Sequence, residues 1–202
     1  MATSEQFYVG FEGPIAAGKT TLAGLLATHT KARLVLEEVD GNEFLADFYS
    51  ARDRWSLPMQ LWFLTARHQQ LNAIAAQHHS KVVADYTFAK DGIFARTLLK
   101  DREIRLYDRI ASGLKALPQP HVFVYLDADD DVLLERIKRR NRPYESTITK
   151  GYLDSLRTAY EAYLTAGSES NICQIDTTHL NLNSDSELHS LFASLLSKIP
   201  DA

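Results

Sequence analysis

Gly13-Pro14-Ile15-Ala16-Ala17-Gly18-Lys19-Thr20 follows an apolar run over residues 7–11 and precedes a helical pattern over residues 21–28. The stretch reads G-x-x-x-x-G-K-T in a strand–loop–helix context, which predicts a phosphate-binding loop that extends to Thr21. Glycines let the backbone curl around an anion, and the N-terminal end of the next helix adds positive potential. Lys19 is then expected to reach the β- and γ-phosphates of ATP, and the Thr20 hydroxyl to hold Mg²⁺. The sequence therefore predicts a nucleotide-binding protein.

The composition of the chain argues against several classes of protein. Its 202 residues, 45% of them hydrophobic, suffice for one domain with a buried core, so we predict a single domain over residues 1–202. The net charge of −4 argues against a nucleic-acid-binding protein. Cys173 is the single cysteine, which excludes an internal disulfide and favours the cytoplasm. Since the sequence shows neither a signal-peptide pattern nor an apolar run long enough for a membrane span, we expect a soluble intracellular protein without a membrane partner.

Short apolar runs alternate with longer helical patterns along the chain. The apolar runs lack polar alternation, as expected of a parallel sheet that helices cover on both faces, and predict strands over residues 7–12, 33–37, 81–85, 121–127 and 171–176. Helical patterns between them include residues 19–29, 56–78, 101–117, 130–139, 149–165 and 184–198. We therefore predict an α/β fold, a three-layer sandwich of the P-loop NTPase type with about five parallel strands flanked by helices.

Acidic residues follow the predicted strands: Glu12, Glu37, Asp85 and Asp127 lie at or near the strand ends where ligands of such sheets bind. Phosphoryl transfer needs a carboxylate near the metal and often a second one that takes the proton of the acceptor hydroxyl. Asp85, which follows three apolar residues, has the form of a Walker-B-type metal ligand. The alternative interpretation of each acid is a helix cap or a solvated strand end.

Five cations crowd the end of one predicted helix and the loop after it: Arg136, Lys138, Arg139, Arg140 and Arg142. One interpretation is an arginine-rich lid over about residues 136–147 that closes on the phosphates. The alternatives are a helix C-terminus decorated with cations and a nucleic-acid patch. Because Arg136 and Arg140 share a helix face, we expect them and Arg142 to face phosphate, and the other two cations to be solvated.

Further motifs match one family in their order and spacing. They are G-P-I-A-A-G-K-T-T at 13–21, E-E-V at 37–39, N-E-F-L at 42–45, F-Y at 48–49, and W-S at 55–56 followed by Gln60 and Arg67. With these motifs the chain resembles the deoxynucleoside kinases that act on deoxyadenosine, deoxyguanosine or deoxycytidine. These P-loop enzymes phosphorylate the 5′-hydroxyl of deoxyribonucleosides, and the resemblance spans residues 7 to about 163.

The resemblance implies a role for each matching residue. Glu37 is expected to be the catalytic base for the 5′-hydroxyl, and Lys19 with the three lid arginines to stabilise phosphate charge. The implied metal site is Thr20 with Asp85. The implied substrate-binding residues are Met59, Gln60, Arg67, Asp91 and Phe94 for the base, and Tyr49 and Glu145 for the sugar 3′-hydroxyl. The resemblance also implies a homodimer and favours a purine deoxynucleoside.

The sequence departs from the family pattern after the third predicted strand. The family has an acid-Arg-Ser triplet there, whereas this chain has Asp85-Tyr86-Thr87, so a positive charge on the acceptor side must come from elsewhere, for example from a lid arginine. The segment up to Phe94 is also one residue shorter than in several relatives, which leaves the contact of Asp91 with the base open. Thymidylate kinases share the loop and have an acid-Arg-Tyr triplet.

Two other functions remain open at this point. One is a nucleoside monophosphate kinase, in which the acceptor is already ionised and no base is needed. The other is an ATP-binding regulatory module without acceptor chemistry. A GTPase switch is disfavoured, because the sequence has no N-K-x-D motif and no D-x-x-G after the third strand.

Overall fold

We analysed a computed structural model of the chain, which describes residues 6–75, 81–167, 169 and 171–199. The strands are β1 (Phe7–Glu12), β2 (Arg33–Val35), β3 (Lys81–Ala84), β4 (Val122–Asp127) and β5 (Ile172–Asp176). The helices are α1 (Lys19–Thr30), α2 (Leu45–Ser50), α3 (Arg52–Ala75), α4 (Ala89–Leu98), α5 (Asp101–Ala111), α6 (Asp130–Arg140), α7 (Lys150–Thr165) and α8 (Asp185–Leu196). A 3₁₀ helix, Pro143–Thr147, follows α6.

The five strands form one parallel sheet in the order β2-β3-β1-β4-β5. The register pairs Gly10 of β1 with Ala84 of β3 on one side and with Phe123 of β4 on the other. The central strand therefore delivers the phosphate loop between the ends of β3 and β4. In such sheets this edge is the usual ligand site.

Helices cover both faces of the sheet. Alternate residues of β1 point to opposite faces, and all of them are buried. Phe7, Val9 and Phe11 belong to the largest apolar cluster, which includes residues of α1 and α8. Tyr8 points to the other face, where it packs with residues of α3. This arrangement confirms the predicted three-layer α/β sandwich with five parallel strands.

Several predicted boundaries differ from the structure. The second strand ends at Val35, so Glu37 lies in the loop beyond it, and α5 ends at Ala111 although the pattern predicted a helix to residue 117. Helices α2 and α4 were not among those predicted from the sequence. The first has only six residues, and the second buries Lys90 and Asp91, which hides its apolar period. The predicted end of α3 at residue 78 lies outside the described residues.

Candidate active site

The phosphate loop has the geometry that its glycines were expected to provide. Gly13 has φ +139°, and a Cβ there would lie 2.0 Å from the carbonyl oxygen of Leu126 in β4. Gly18 has φ +97° and is the N-cap of α1. Both conformations strongly favour glycine. The loop is therefore wedged between two central strands, and Lys19 begins the helix behind it.

Lys19 points back into the loop. Its Nζ donates hydrogen bonds to the carbonyl oxygens of Gly13 and Pro14, each at 2.7 Å. Burial and the nearby ammonium group of Lys90 lower the pKa of Lys19 to about 7, against the attraction of surrounding carboxylates. The ammonium group of Lys19 therefore lies inside the curl of the loop, against two of its backbone oxygens.

Asp85 connects the phosphate loop with the loop after β2. Its Oδ2 accepts a hydrogen bond from Thr20 Oγ1 at 2.6 Å, and its Oδ1 accepts one from the backbone N–H of Glu37 at 2.8 Å. One carboxylate and one hydroxyl suit Mg²⁺, which usually keeps several waters and takes few protein oxygens besides the phosphates. Within the described ranges, no cluster of three or more His, Cys, Asp or Glu side chains could form a protein-only metal site.

Glu37 is held between two cations. Its Oε1 accepts from Arg67 Nε and Nη2 at 2.9 and 2.6 Å, and its Oε2 accepts from Lys90 Nζ at 2.5 Å. Burial favours the neutral acid, but Lys90 and Arg67 outweigh it and lower the pKa of Glu37 to about 2. The carboxylate is therefore ionised at neutral pH.

Gln60 and Asp91 form a buried network with Arg67. Gln60 Nε2 donates to both the backbone oxygen and Oδ1 of Asp91 at 2.9 Å. Arg67 Nη1 donates to the same Oδ1, and Tyr107 Oη donates to Oδ2 at 2.6 Å. Asp91 is completely buried. Its carboxylate accepts hydrogen bonds from Gln60, Arg67 and Tyr107. Gln60 Oε1 is buried without a hydrogen-bond partner in the described part of the chain.

Glu12, the last residue of β1, is completely buried under the loop. Its Oε1 accepts from the backbone N–H and the hydroxyl of Thr87 at 2.6 and 2.9 Å, and its Oε2 accepts from Tyr160 Oη at 2.7 Å. Burial raises the pKa of Glu12 above its ordinary value of 4.5, although Lys90, Tyr160 and Thr87 oppose this. The side chain thus fixes the turn after β3 against the base of the phosphate loop.

Replacing Glu12 with glutamine should make the stability of the protein less dependent on pH. Above pH 4.5 native Glu12 keeps a proton that the unfolded chain has released, so its contribution to the free energy of unfolding falls as the pH rises through the folded pKa. Urea unfolding at several pH values should show the wild-type protein losing stability relative to Glu12→Gln on going from pH 4.5 upward. Glu161→Gln, at an exposed position of α7, is the control. A wild-type-minus-variant difference that stays constant would contradict this account.

Two of the arginines expected to form the lid, Arg140 and Arg142, converge on Glu145. Arg140 donates from Nε and Nη2 to Glu145 at 3.0 and 2.6 Å, and Arg142 Nη1 lies 3.8 Å from the same carboxylate. Glu145 is buried. Next to it Tyr144 stacks on Tyr49, with ring centroids 5.5 Å apart. The end of α6 and the 3₁₀ helix therefore lie against the residues expected to bind the sugar.

Arg136 is attached to the loop after β5. It donates to the hydroxyl and the backbone oxygen of Thr177 at 2.9 and 2.6 Å, and Thr177 Oγ1 lies 3.0 Å from the backbone oxygen of Ala17. Thr177 thus links α6 with the phosphate loop. Arg139 is exposed, as expected, and it also lines the cavity described next.

One cavity of about 1030 Å³ joins these groups. This volume exceeds the usual range for a site that binds one small ligand. Of the predicted residues it is lined by Ile15 to Thr21, Glu37, Tyr49, Met59, Arg67, Asp85, Phe94, Arg136, Arg140, Arg142 and Glu145. In the described part of the chain, Gln60 and Asp91 lie behind its wall and do not line it. Gly13 and Pro14 are buried at the base of the loop.

Several lining residues were missed by the sequence analysis: Phe63, Lys90, Tyr144, Thr177, Thr178 and the segment 180–183. The sequence has no motif for them, since they reach the cavity through the packing of α3, α4, the 3₁₀ helix and the loop after β5. For Lys90 one signal was present. Since the sequence has Tyr86 where the family has an arginine after Asp85, another residue was expected to supply the positive charge.

The lining of the cavity combines apolar and aromatic side chains, including Met59, Phe63 and Phe94, with Arg136, Thr177 and the segment 180–183. The phosphate loop, Asp85, Glu37 and Lys90 line the same cavity.

Across the described ranges no helix is both long and apolar enough to cross a lipid bilayer.

Comparisons with known proteins identify the family of the chain. The family model for deoxynucleoside kinases matches residues 9–198. The deoxyguanosine kinase of Bacillus subtilis is 36% identical over 158 residues, which cover 76% of each chain. The deoxyadenosine kinase of Dictyostelium discoideum is 34% identical over 166 residues, 79% of this chain and 67% of that protein.

Among solved structures, the deoxyadenosine kinase from M. mycoides with products bound has the same fold. It matches with a TM-score of 0.83 at 21% identity and covers 94% of this chain and 99% of that one. The extent of the family match and the identity to the curated relatives decide the assignment: this chain belongs to the deoxynucleoside kinase family, whose members are phosphotransferases.

Proposed function

We propose that the protein transfers the γ-phosphoryl group of ATP to the 5′-hydroxyl of a purine deoxynucleoside in nucleotide salvage. The observation that carries this proposal is the position of Asp85. Its carboxylate bonds Thr20 of the phosphate loop with one oxygen and the backbone of Glu37 with the other. A proton acceptor is thereby held beside the loop that binds the donor phosphates.

The reaction needs one proton acceptor and a surplus of positive charge. The bond between the γ-phosphorus and the β,γ-bridging oxygen breaks, the 5′-oxygen bonds to that phosphorus, and the 5′-hydroxyl proton passes to Glu37. Lys19 and the lid arginines 136, 140 and 142 stabilise the charge on the phosphoryl oxygens and on the departing ADP. Thr20 and Asp85 are the residues that would hold Mg²⁺, which when bound neutralises charge on the β- and γ-phosphates.

A purine can lie among the apolar and aromatic side chains of the cavity lining, which include Met59, Phe63 and Phe94. Gln60 is buried behind the lining, with its Nε2 donating to Asp91 and its Oε1 without a partner among the described residues. A small movement would let Oε1 accept from the amino group of adenine or from N1–H of guanine. The names of the two curated relatives, a deoxyguanosine kinase and a deoxyadenosine kinase, support the same choice.

Replacing Tyr49 with phenylalanine should weaken the use of substrates that carry a 3′-hydroxyl. We place the Tyr49 hydroxyl and Glu145 on this group, and one lost hydrogen bond corresponds to about a tenfold fall in kcat/KM. A matching 2′,3′-dideoxynucleoside lacks the group, so its kcat/KM should be the same for wild type and Tyr49→Phe. An equal loss with both substrates would remove Tyr49 from sugar recognition.

Product analysis tests the proposed function directly. The protein would be incubated with ATP, Mg²⁺ and each of the four deoxynucleosides or their monophosphates, followed by mass spectrometry. We expect a 5′-monophosphate from deoxyadenosine or deoxyguanosine. Turnover of monophosphates alone would identify a monophosphate kinase instead, and the absence of any product despite ATP binding would favour a regulatory module.

We also propose that the enzyme acts in the cytoplasm as a homodimer that contacts through α3 and α5. Leu106 and Ile110 of α5 are 46% and 37% exposed, which is high for large apolar side chains on one helix face. Sedimentation at micromolar concentration should give twice the chain mass of 22.8 kDa. A monomer under these conditions would contradict the dimer without affecting the proposed reaction.

A further inference from the structure

The residue after Asp85 does not serve the site. Tyr86 is completely buried, and it belongs to the cluster formed with Tyr8, Leu71 and Ile74 on the α3 face of the sheet. Its hydroxyl donates to Gln70 Oε1 at 2.6 Å. The side chain is therefore a structural part of the sheet–helix interface, and this position brings no cation to the cavity.

Lys90 brings a positive charge to the cavity from α4, the element that follows β3. It lies in the first turn of α4, only 9% of its side chain is exposed, and its Nζ is 2.5 Å from Glu37 Oε2. It lines the same cavity as Lys19, Thr20 and Asp85. A lysine so deeply buried loses much hydration, so its retention beside a carboxylate indicates a function or a strong structural need.

The start of α4 is fixed in a way that directs Lys90 to this place. Glu12 binds both the backbone and the hydroxyl of Thr87, and the same hydroxyl accepts from the backbone N–H of Ala89 at 3.2 Å. The turn from β3 to α4 is thereby attached to the base of the phosphate loop. Since Glu12 is buried and does not move freely, the first turn of α4 has a defined position relative to Glu37.

Lys90 contacts the acid proposed to accept the proton and lines the same cavity as the phosphate loop. Its charge, after burial, also contributes to the lowered pKa of Lys19 in that loop. Arg67 contributes less available charge, since its Nε, Nη1 and Nη2 are directed to Glu37 and Asp91. Lys90 has three N–H donors, of which the bond to Glu37 uses one.

We propose that Lys90 is a catalytic residue that contacts both the 5′-oxygen of the acceptor and the transferring phosphoryl group. It takes over in space the charge that an arginine after Asp85 supplies in the family pattern. This inference rests on the proposed function. As the 5′-oxygen bonds to the γ-phosphorus and its proton passes to Glu37, the ammonium group stabilises the growing charge on the equatorial phosphoryl oxygens, and ADP departs.

Steady-state kinetics of Lys90→Met and Lys90→Arg test the proposal. Methionine keeps an unbranched side chain of similar length but loses the ammonium group that lies 5.6 Å from the ring centroid of Phe94, whereas arginine keeps the charge. We expect Lys90→Met to lower kcat by about 10²–10³-fold while the KM values for ATP and deoxynucleoside change little, because the contact strengthens in the transition state. Lys90→Arg should recover most of kcat. Lys100→Met, at an exposed position before α5, should behave as wild type.

The following outcomes would contradict either the catalytic role of Lys90 or the reaction on which that role rests. A wild-type kcat in Lys90→Met, or an equal loss of kcat in Lys90→Arg, would overturn the proposal. If Lys90→Met does not fold, Lys90→Gln retains a donor to Glu37 without the charge, and a wild-type kcat there would also overturn it. Failure of the wild-type protein to phosphorylate any deoxynucleoside would instead overturn the proposed function on which the inference rests.

Discussion

Replacing Glu37 with glutamine should lower kcat for deoxynucleoside phosphorylation by about 10³-fold, within the range typical of general-base catalysis. Glutamine cannot accept the proton of the 5′-hydroxyl, and it leaves Arg67 and Lys90 without the carboxylate that they now share. The KM for ATP should change much less, because Glu37 is outside the phosphate loop. Kinetics with saturating Mg²⁺ and product mass analysis would measure both parameters.

The neighbouring glutamate provides a matched control. Glu38 is exposed, and Glu38→Gln removes the same charge one residue away, so its kcat should stay near the wild-type value. Thermal unfolding of both variants separates chemistry from stability, since removal of one partner from a buried ion pair costs about 3–5 kcal/mol. A folded Glu37→Gln enzyme with nearly normal kcat would exclude Glu37 as the base and would favour an acceptor that is already ionised.

Replacing Asp91 with alanine should have the largest effect on stability, about 3–5 kcal/mol, which corresponds to a fall in Tm of roughly 10 °C for a chain of this size. The carboxylate is completely buried and accepts bonds from Gln60, Arg67 and Tyr107. Alanine leaves Tyr107 Oη without its acceptor, leaves Gln60 Nε2 with only the backbone oxygen of residue 91, and leaves Arg67 with one carboxylate partner in place of two. Calorimetry or urea unfolding would measure the loss.

An exposed Asp–Arg pair is the control for this substitution. Arg96 and Asp108 are joined at 3.1 Å, but their side chains are 61% and 48% exposed. Asp108→Ala should therefore cost no more than about 1 kcal/mol. If the folded Asp91→Ala protein phosphorylates deoxynucleosides with altered base preference, Asp91 acts through Gln60. A variant as stable as Asp108→Ala would show that the network contributes little to folding.

The strand-and-helix pattern predicted the fold because its determinants are local. The apolar runs identify buried parallel strands, and the glycines and Lys19 identify the loop at the end of β1. The sequence also predicted the groups Asp85 and Glu37, which both follow strands. Their connection through one carboxylate could not be predicted, since it depends on the backbone of the loop beyond β2.

Residues on elements without a clear periodicity were the ones missed. Helix α4 buries Lys90 and Asp91, so its inner face does not read as apolar, and neither its existence nor the position of Lys90 follows from the pattern. Thr177 reaches the phosphate loop only because β5 lies beside β4. For Asp91 the sequence could suggest a role near the base, but the burial behind Gln60 and Arg67 emerged only from packing.

The network from Gln60 through Asp91 and Arg67 to Glu37 has a consequence for how such an enzyme can diversify. Arg67 touches both Asp91, which orients Gln60, and Glu37. With the roles proposed above for Gln60 and Glu37, selectivity and turnover are physically coupled through Arg67, and a polar substitution that alters base preference is expected to disturb the proton acceptor as well. Phe63 and Phe94 share this constraint, because the guanidinium carbon of Arg67 lies 4.4 Å from the ring centroid of Phe63 and Lys90 Nζ lies 5.6 Å from that of Phe94. Met59 packs in an apolar cluster with Leu45 and Phe48. A lineage that adopts new nucleosides therefore has more freedom at Met59 than at the two aromatic positions or in the charged network.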